Sequence, residues 1–374
     1  MNEIATQIET FAALLLEQAN RARALSDEKA VDFTRRPLRI GIAPGDGIGP
    51  VIVRQAEKAL RCLLQEELQS GSIALCPIEG LTIENRLEKG QSVPEDTLRQ
   101  IKACPVLLKG PTTTPGGGTM TSANVTLRRE LDLYANVRPV CVPDLDIDWI
   151  FFRENTEGEY TLGSRGIELE GLMAMDFKVI SVAGTRRIAK AAFDYAAQHG
   201  NCKVTIVTKA NIMKKTDGLF SQVCHEVAKD YPGIPVEEYY VDIMAANLVN
   251  PDLRSSFRVV LTPNLYGDIL TDEAAQLQGG VGTAGSANTG SRYAMFEAIH
   301  GSAPRLIEQG LGDWADPESI LRATVMLLDH IGCHDKADLL RGAIDSVKAK
   351  GLHVSQDCLT CEAFGDAVVS ALQA

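Results

Sequence analysis

The sequence predicts an α/β protein built around a parallel or mixed sheet covered by helices. Three observations predict it. From Leu38 onward, short apolar β-prone runs alternate with longer stretches of helical periodicity, and such alternation implies strands joined by crossover helices. The chain has 374 residues, a length that suggests two domains. No internal repeat and no low-complexity linker divides it, so the two domains are expected to interleave.

Each element has its own warrant. Over 3–24, Ile4, Ile8, Phe11, Leu15 and Ala19 recur at helical spacing. They predict an appended amphipathic helix that docks on the body or on a partner subunit. Residues 38–42 read as a strand, followed by the tight turn Gly45-Asp46-Gly47-Ile48-Gly49-Pro50 and a helix over 51–65. That turn has the spacing G-x-G-x-G and no acidic residue at the end of a following strand, so it is not a Rossmann fingerprint. Positive φ at glycine is the better account of it. Further strands are expected at 106–108, 149–152, 204–207 and 259–261, with a glycine-rich loop over 110–118. Helices are expected near 187–199, 213–229, 318–331 and 335–349. Residues 158–184 are punctuated by glycine, carry a β-prone stretch at 177–182 and show no clear helix. They read as an antiparallel arm.

Composition excludes several function classes. A 45% hydrophobic, 23% charged chain is an ordinary globular protein. Its net charge of −12 argues against general nucleic-acid binding, which needs a basic footprint. No apolar run is long enough to span a membrane. The N-terminus lacks a basic-then-apolar leader and carries Glu3, Glu9, Glu17 and Asp27, so a cytoplasmic location is expected. The nine cysteines are scattered, with one CxxC at Cys358 and Cys361, and read as reduced thiols.

Two segments carry chemistry. In Pro263-Asn264-Leu265-Tyr266-Gly267-Asp268-Ile269-Leu270-Thr271-Asp272, a strand breaks at Asn and Gly. Asp268 and Asp272 then follow at i, i+4, which stacks both carboxylates on one helix face. Two solvated aspartates near a helix start are one reading. Oxygen ligands for a hard divalent cation such as Mg²⁺ are the other. The second segment holds Lys109, the glycine-rich loop, Ser122, Asn124, Arg128, Arg138 and Arg153. It places a hydroxyl, an amide and a guanidinium near one helix start, where anions are favoured. The three arginines are planar forks suited to a polycarboxylate.

With these motifs in view, the chain resembles the β-decarboxylating dehydrogenases, the isocitrate and isopropylmalate dehydrogenase family. The resemblance rests on Gly45-Asp-Gly-Ile-Gly-Pro50, Arg153-Glu-Asn-Thr-Glu-Gly-Glu-Tyr160, Lys209-Ala-Asn211-Ile-Met, the run from Asn264 to Asp272, and Glu297-Ala-Ile-His300-Gly-Ser-Ala-Pro304. These motifs stand in family order from about Leu38 to the C-terminus. Ser122-x-Asn124-x-x-Leu127-Arg128 is similar to the isocitrate branch, in which Ser and Asn hold the carboxylate that isopropylmalate lacks.

The resemblance implies the family's own fold rather than a Rossmann fold. It implies an N-terminal helical extension at 1–36, a large cofactor-side domain at 37–133 and 278–374, and a small dimerisation and substrate domain at 134–277 that includes the arm. It implies oxidative decarboxylation of isocitrate to 2-oxoglutarate and CO₂ by a homodimer with shared sites. Arg128, Arg138, Arg153, Ser122, Asn124 and Asn211 would bind substrate. Asp268 and Asp272, with Asp242 of the partner subunit, would hold Mg²⁺ or Mn²⁺. Lys209, also from the partner, would take the hydroxyl proton, and a neighbouring cation suits a lysine to that role. Tyr160 would return a proton to carbon. Lys109, Thr113, Thr114, Glu297, His300, Gly301, Ser302, Ala303, Pro304, Arg305 and Asp316 would face the nucleotide. Where NAD-using relatives place Asp and NADP-using ones Lys-Tyr, this chain has Arg305-Leu306, and Gln356 and Leu359 stand where a second NADP cluster has Tyr and Arg. NAD is the expected acceptor, with NADP the alternative. A homoisocitrate-type substrate, or a regulatory subunit of a hetero-oligomer, are the alternative readings of function.

Overall fold

The computed structural model describes residues 2–25, 30–116, 120–163 and 165–373. Residues 117–119, which include the end of the glycine-rich loop, lie outside the described residues. The chain divides into two compact units, both discontinuous in sequence. One comprises Met1–Lys29 and Tyr134–Ala274, the other Ala30–Leu133 and Ala275–Ala374. The N-terminal helix therefore groups with the unit that begins at Tyr134.

The strands, in chain order, are β1 (Leu38–Ala43), β2 (Ile73–Pro77), β3 (Val106–Lys109), β4 (Ala135–Val142), β5 (Ile147–Glu154) and β6 (Ile167–Leu169). They continue with β7 (Met173–Met175), β8 (Val204–Thr208), β9 (Val236–Tyr240), β10 (Val259–Thr262), β11 (Gly285–Thr289) and β12 (Ala294–Ala298). In the first unit the order is β4-β5-β10-β8-β9. β5, β10, β8 and β9 run parallel, and β4 pairs antiparallel with β5. In the second unit the order is β2-β1-β3-β12-β11, parallel except for the β11–β12 hairpin. β3, β8 and β10 are buried at every position, as strands covered on both faces must be.

Helix patterning supplies the cover. On helix Val182–Gln198, Ile188, Ala189, Ala192, Phe193 and Ala196 lie on one face and pack on Val204, Ile206, Val259 and Leu261, the stripe an amphipathic helix presents to a sheet. On helix Glu318–His330 of the second unit, Ile320, Leu321, Ala323, Thr324, Leu327 and Leu328 are buried in the same way. No helix of the described residues is long and apolar enough to cross a membrane.

Three sequence expectations change. The arm is antiparallel, but its strands are the short hairpin β6–β7. Residues 177–182 form no strand beyond a bridge from Val179 to Gly158. The helix begins at Val182, because the Ser181 hydroxyl accepts the Gly184 amide, and that cap outweighs β-branched preference. The N-terminal helix spans Asn2–Ala24, yet it docks by a neighbouring face. Leu14 and Gln18 are buried, Phe11 meets Phe177, and Ile4, Ile8 and Leu15 are exposed. The glycine turn is as expected: Gly45 and Gly47 have φ of 75° and 57°. A Cβ on Gly47 would collide with the Ser302 carbonyl oxygen.

Candidate active site

In the first unit, sheet register builds the site. Parallel pairing sets Arg153, near the end of β5, against Thr262, the last residue of β10. Helix Asn264–Leu277 starts two residues later, so its first turn rises beside the guanidinium. Asn264 Oδ1 accepts from Arg153 Nε at 3.0 Å and Nη2 at 2.7 Å. Arg153 Nη1 donates to Asp268 Oδ1. Gly267 makes the close approach possible, since a Cβ there would stand 2.6 Å from Arg153 Cγ. One strand over, Arg138 on β4 donates to Thr271 Oγ1 at 2.7 Å and to Asp272 Oδ1 at 3.1 Å. Tyr160 donates its hydroxyl to Asp268 Oδ2 at 2.8 Å.

Exposure separates the two signs of charge. The Arg153 and Arg138 side chains are only 1% and 8% exposed, whereas Asp268 and Asp272 are 40% and 60% exposed. Buried cations thus lie beneath accessible carboxylates. An anionic ligand can compete for the forks, and a hard cation can take the carboxylate oxygens. The donor set fits a Mg²⁺- or Mn²⁺-type ion, with two oxygen-bearing groups on one face of one helix. Among the described residues, no group of three His, Cys, Asp or Glu side chains gathers as a ligand set. Asp242 pairs with Lys209 Nζ at 2.5 Å, and that hydrogen bond lowers its pKa. The Lys209 backbone N–H donates to the buried Asp217 carboxylate at 2.7 Å. Asn211 is exposed.

The second unit holds another cluster. Register sets Lys109 on β3 beside Glu297 on β12. Lys109 Nζ lies 3.0 Å from Glu297 Oε2, and Arg128 Nη2 lies 3.4 Å from Oε1. Asn288 donates to Glu297 at 2.8 Å, and Lys109 also donates to the Gly110 carbonyl at 2.8 Å. Burial raises the Glu297 pKa, but Lys109 and Arg128 outweigh it and hold the carboxyl at about 2. Ser122 occupies the N-cap of helix Ala123–Glu130 without capping it by its side chain. Asn124 Oδ1 accepts from Thr112 at 3.1 Å, while Arg128 lies in the last turn of that helix.

The nucleotide candidates are placed as follows. The Thr113 and Ser302 hydroxyls lie 2.7 Å apart, and Thr114 is exposed. His300 Nδ1 contacts the Gly301 carbonyl at 3.0 Å. Ala303 turns the chain with φ 45° into the short helix Pro304–Glu308, from which Arg305 is exposed. Asp316 accepts the Glu318 amide at 2.9 Å, and burial raises its pKa.

Sequence reasoning passed over several residues. Asn264 orients Arg153, and Thr271 orients Arg138. The turn residue Asp46 is buried and accepts the backbone amides of Ile83 at 2.6 Å and Thr113 at 2.8 Å. It also meets buried Arg86 at 3.5 Å. An acid between the glycines of a tight turn was the available signal. Asp217 and Glu157 carried none, because the cations that neutralise them, Lys178 and Arg21, are remote in sequence.

The architecture and site define an α/β protein class in which buried guanidinium groups are set against exposed carboxylates. The chain belongs to the isocitrate/isopropylmalate dehydrogenase family, whose sequence profile matches residues 39–368. Family members are β-decarboxylating dehydrogenases that depend on a metal and use NAD or NADP. The chain is 40% identical over 329 residues to an isocitrate dehydrogenase [NADP] of Rickettsia prowazekii, covering 84% of this chain and 64% of that protein. It thus spans less than two thirds of that relative's length. It is 39% identical over 366 residues to the chloroplastic 3-isopropylmalate dehydrogenase of Solanum tuberosum, covering 91% of this chain and 96% of that one. The crystal structure of isocitrate dehydrogenase from Methylococcus capsulatus superposes with a TM-score of 0.80 at 36% identity, covering 90% of this chain and all of that one.

Proposed function

We propose that the chain oxidises and decarboxylates isocitrate to 2-oxoglutarate and CO₂, with NAD as acceptor, as a homodimer. The observation that carries this reading is Ser122. Its hydroxyl stands at a helix N-cap without capping the helix, with the Asn124 amide two residues on. That polar pair suits a third carboxylate and opposes an isopropyl group, which offers no acceptor to the Ser122 hydroxyl or the Asn124 NH2. Arg128, Arg138 and Arg153 take the substrate carboxylates. With the arginines engaged by substrate, Asp268 and Asp272 would be free to hold a Mg²⁺- or Mn²⁺-type cation, together with Asp242 of the partner subunit. Lys209 of the partner subunit would arrive with that aspartate, because the two are an ion pair; once a cation has drawn Asp242 away and disfavours the ammonium, the neutral Lys209 amine would accept the 2-hydroxyl proton. Tyr160 donates a proton to the carbon that loses CO₂. When bound, the cation supplies Lewis-acid polarisation of the substrate oxygens and the nicotinamide supplies hydride acceptance.

NAD is favoured because Arg305 is exposed and the C-terminal positions of a 2′-phosphate site are Gln356 and Leu359. A lone exposed cation is screened and contributes little. The test is kcat/KM for isocitrate and isopropylmalate with each nucleotide. Isocitrate with NAD is expected to give the highest value. Preference for isopropylmalate sinks the substrate reading, and preference for NADP sinks the acceptor reading.

A further inference from the structure

The segment joining β5 to Tyr160 carries two buried carboxylates that the mechanism does not use. Glu154 ends β5 and folds over the next turn, accepting the Thr156 amide at 2.8 Å, the Thr156 hydroxyl at 2.7 Å and the Glu157 amide at 2.7 Å. The Glu157 side chain is 0% exposed. Its carboxylate accepts the Ser181 amide at 2.8 Å and the Ser181 hydroxyl at 2.6 Å. The cation beside it comes from far away in sequence: Arg21 Nη2, on the N-terminal helix, donates to Glu157 Oε1 at 2.7 Å.

The backbone of Glu157 faces the site. Its carbonyl accepts Asn264 Nδ2 at 3.0 Å, and the Asn264 oxygen is the one that grips Arg153 twice. Tyr160 follows three residues later. A single residue therefore couples the N-terminal helix, through its side chain, to the substrate-facing guanidinium, through its carbonyl. A fully buried carboxylate without a counter-charge is costly and moves or protonates to escape.

We propose that Arg21 is a positioning residue for the active site: it neutralises Glu157 in place, so that the Glu157 carbonyl fixes Asn264 and Asn264 fixes Arg153. This rests on the reading of Arg153 as a substrate-carboxylate ligand. It gives the N-terminal helix a role in substrate binding although the helix itself never reaches the substrate.

The test uses full-length Arg21→Gln, Arg21→Lys and the double variant Arg21→Gln/Glu157→Gln. A misplacement of about 1 Å costs on the order of 100-fold in catalysis, so loosening Arg153 is expected to raise KM for isocitrate about tenfold in Arg21→Gln. KM for the nucleotide should stay at the wild-type value. Arg21→Lys keeps the charge and should restore isocitrate KM to within about threefold. The double variant removes the buried charge that needs neutralising and should do the same. A merely structural helix contact would lower the active fraction without moving KM. Unchanged isocitrate KM in Arg21→Gln, or an equal rise in nucleotide KM, overturns the proposal. If Arg21→Gln does not fold, the double variant decides: folding with near wild-type KM supports the proposal, and misfolding or raised KM overturns it. If the wild type turns over no 2-hydroxy acid, the functional reading fails separately. Amide hydrogen exchange over 154–160 in Arg21→Gln then decides the positioning claim, faster exchange supporting it and unchanged exchange overturning it.

Discussion

Glu297 shows how one buried ion pair ties stability to acid. Its folded pKa of about 2 lies below the ordinary value of 4.5. The pairing therefore stabilises the fold fully above pH 4.5, and that stability is lost as pH falls from 4.5 toward 2. Glu154 has the opposite sign. Burial and the neighbouring Glu157 carboxylate push it up to about 7, so its contribution declines as pH rises from 4.5 toward 7. Lys109→Met leaves the Glu297 carboxylate buried with one cation fewer. It should destabilise the protein at neutral pH by about 3–5 kcal/mol, read by urea denaturation. The deficit should shrink at pH 4, where the variant's Glu297 is already protonated; a deficit independent of pH refutes the assignment. Asp268→Asn tests the metal reading at the same scale. It removes one charge from the cation site, and kcat/KM for isocitrate should fall by a factor on the order of 10² or more. Wild-type protein dialysed against EDTA should lose turnover and regain it with Mg²⁺ or Mn²⁺. Full activity in EDTA would refute the metal reading.

At the scale of elements, helix Asn264–Leu277 is the piece whose fit matters to the site. Gly267 lies where a side chain would meet Arg153 at 2.6 Å and collide with the Thr262 hydroxyl. Gly267→Ala should push the guanidinium off the site and raise KM for isocitrate about tenfold. Gly342 is the control, since it sits in helix His334–Ala349 and a Cβ added there would meet nothing within 4 Å. Gly342→Ala should leave kinetics alone and stabilise by up to about 1 kcal/mol. Wild-type kinetics in Gly267→Ala would show that the helix has room to shift. The carboxylate pair on this helix is legible in the sequence because i, i+4 spacing fixes a shared face. The β5–β10 register that brings Arg153 to it is not, because register depends on strands more than a hundred residues apart. Likewise, apolar periodicity locates the N-terminal helix but selects the wrong docking stripe. The contact is set partly by Gln18 and Arg21, and a hydrophobic pattern cannot see polar partners. The β-branched neighbours of Val182 suggest a strand, while the Ser181 cap decides the matter for a helix.

At the scale of the whole molecule, the proposed homodimer with shared sites makes a prediction no single variant can make. Tyr160→Phe and Lys209→Met should each be nearly inactive in pure form. Unfolded together and refolded, half of the dimers are mixed and each mixed dimer has one intact site. Recovery of about a quarter of wild-type activity is therefore expected for a two-fold assembly. If the mixture stays as inactive as its parents, each chain completes its own site and the sharing is wrong.

The split of both units along the chain also orders events during synthesis. The N-terminal helix leaves the ribosome with its buried partner Glu157 still 136 residues behind it. Until that residue emerges, Leu14, Gln18 and Arg21 have nothing to close on. The unit starting at Tyr134 is complete once Ala274 has been translated, whereas β3 waits for β12 at Ala294–Ala298 before its open edge is paired. Long-range parallel pairing of this kind is slow and exposes strand edges to aggregation. The nascent chain is thus most vulnerable between the emergence of Lys109 and that of Ala298, and a pause or chaperone acting within that window would protect more of the fold than one acting at either end.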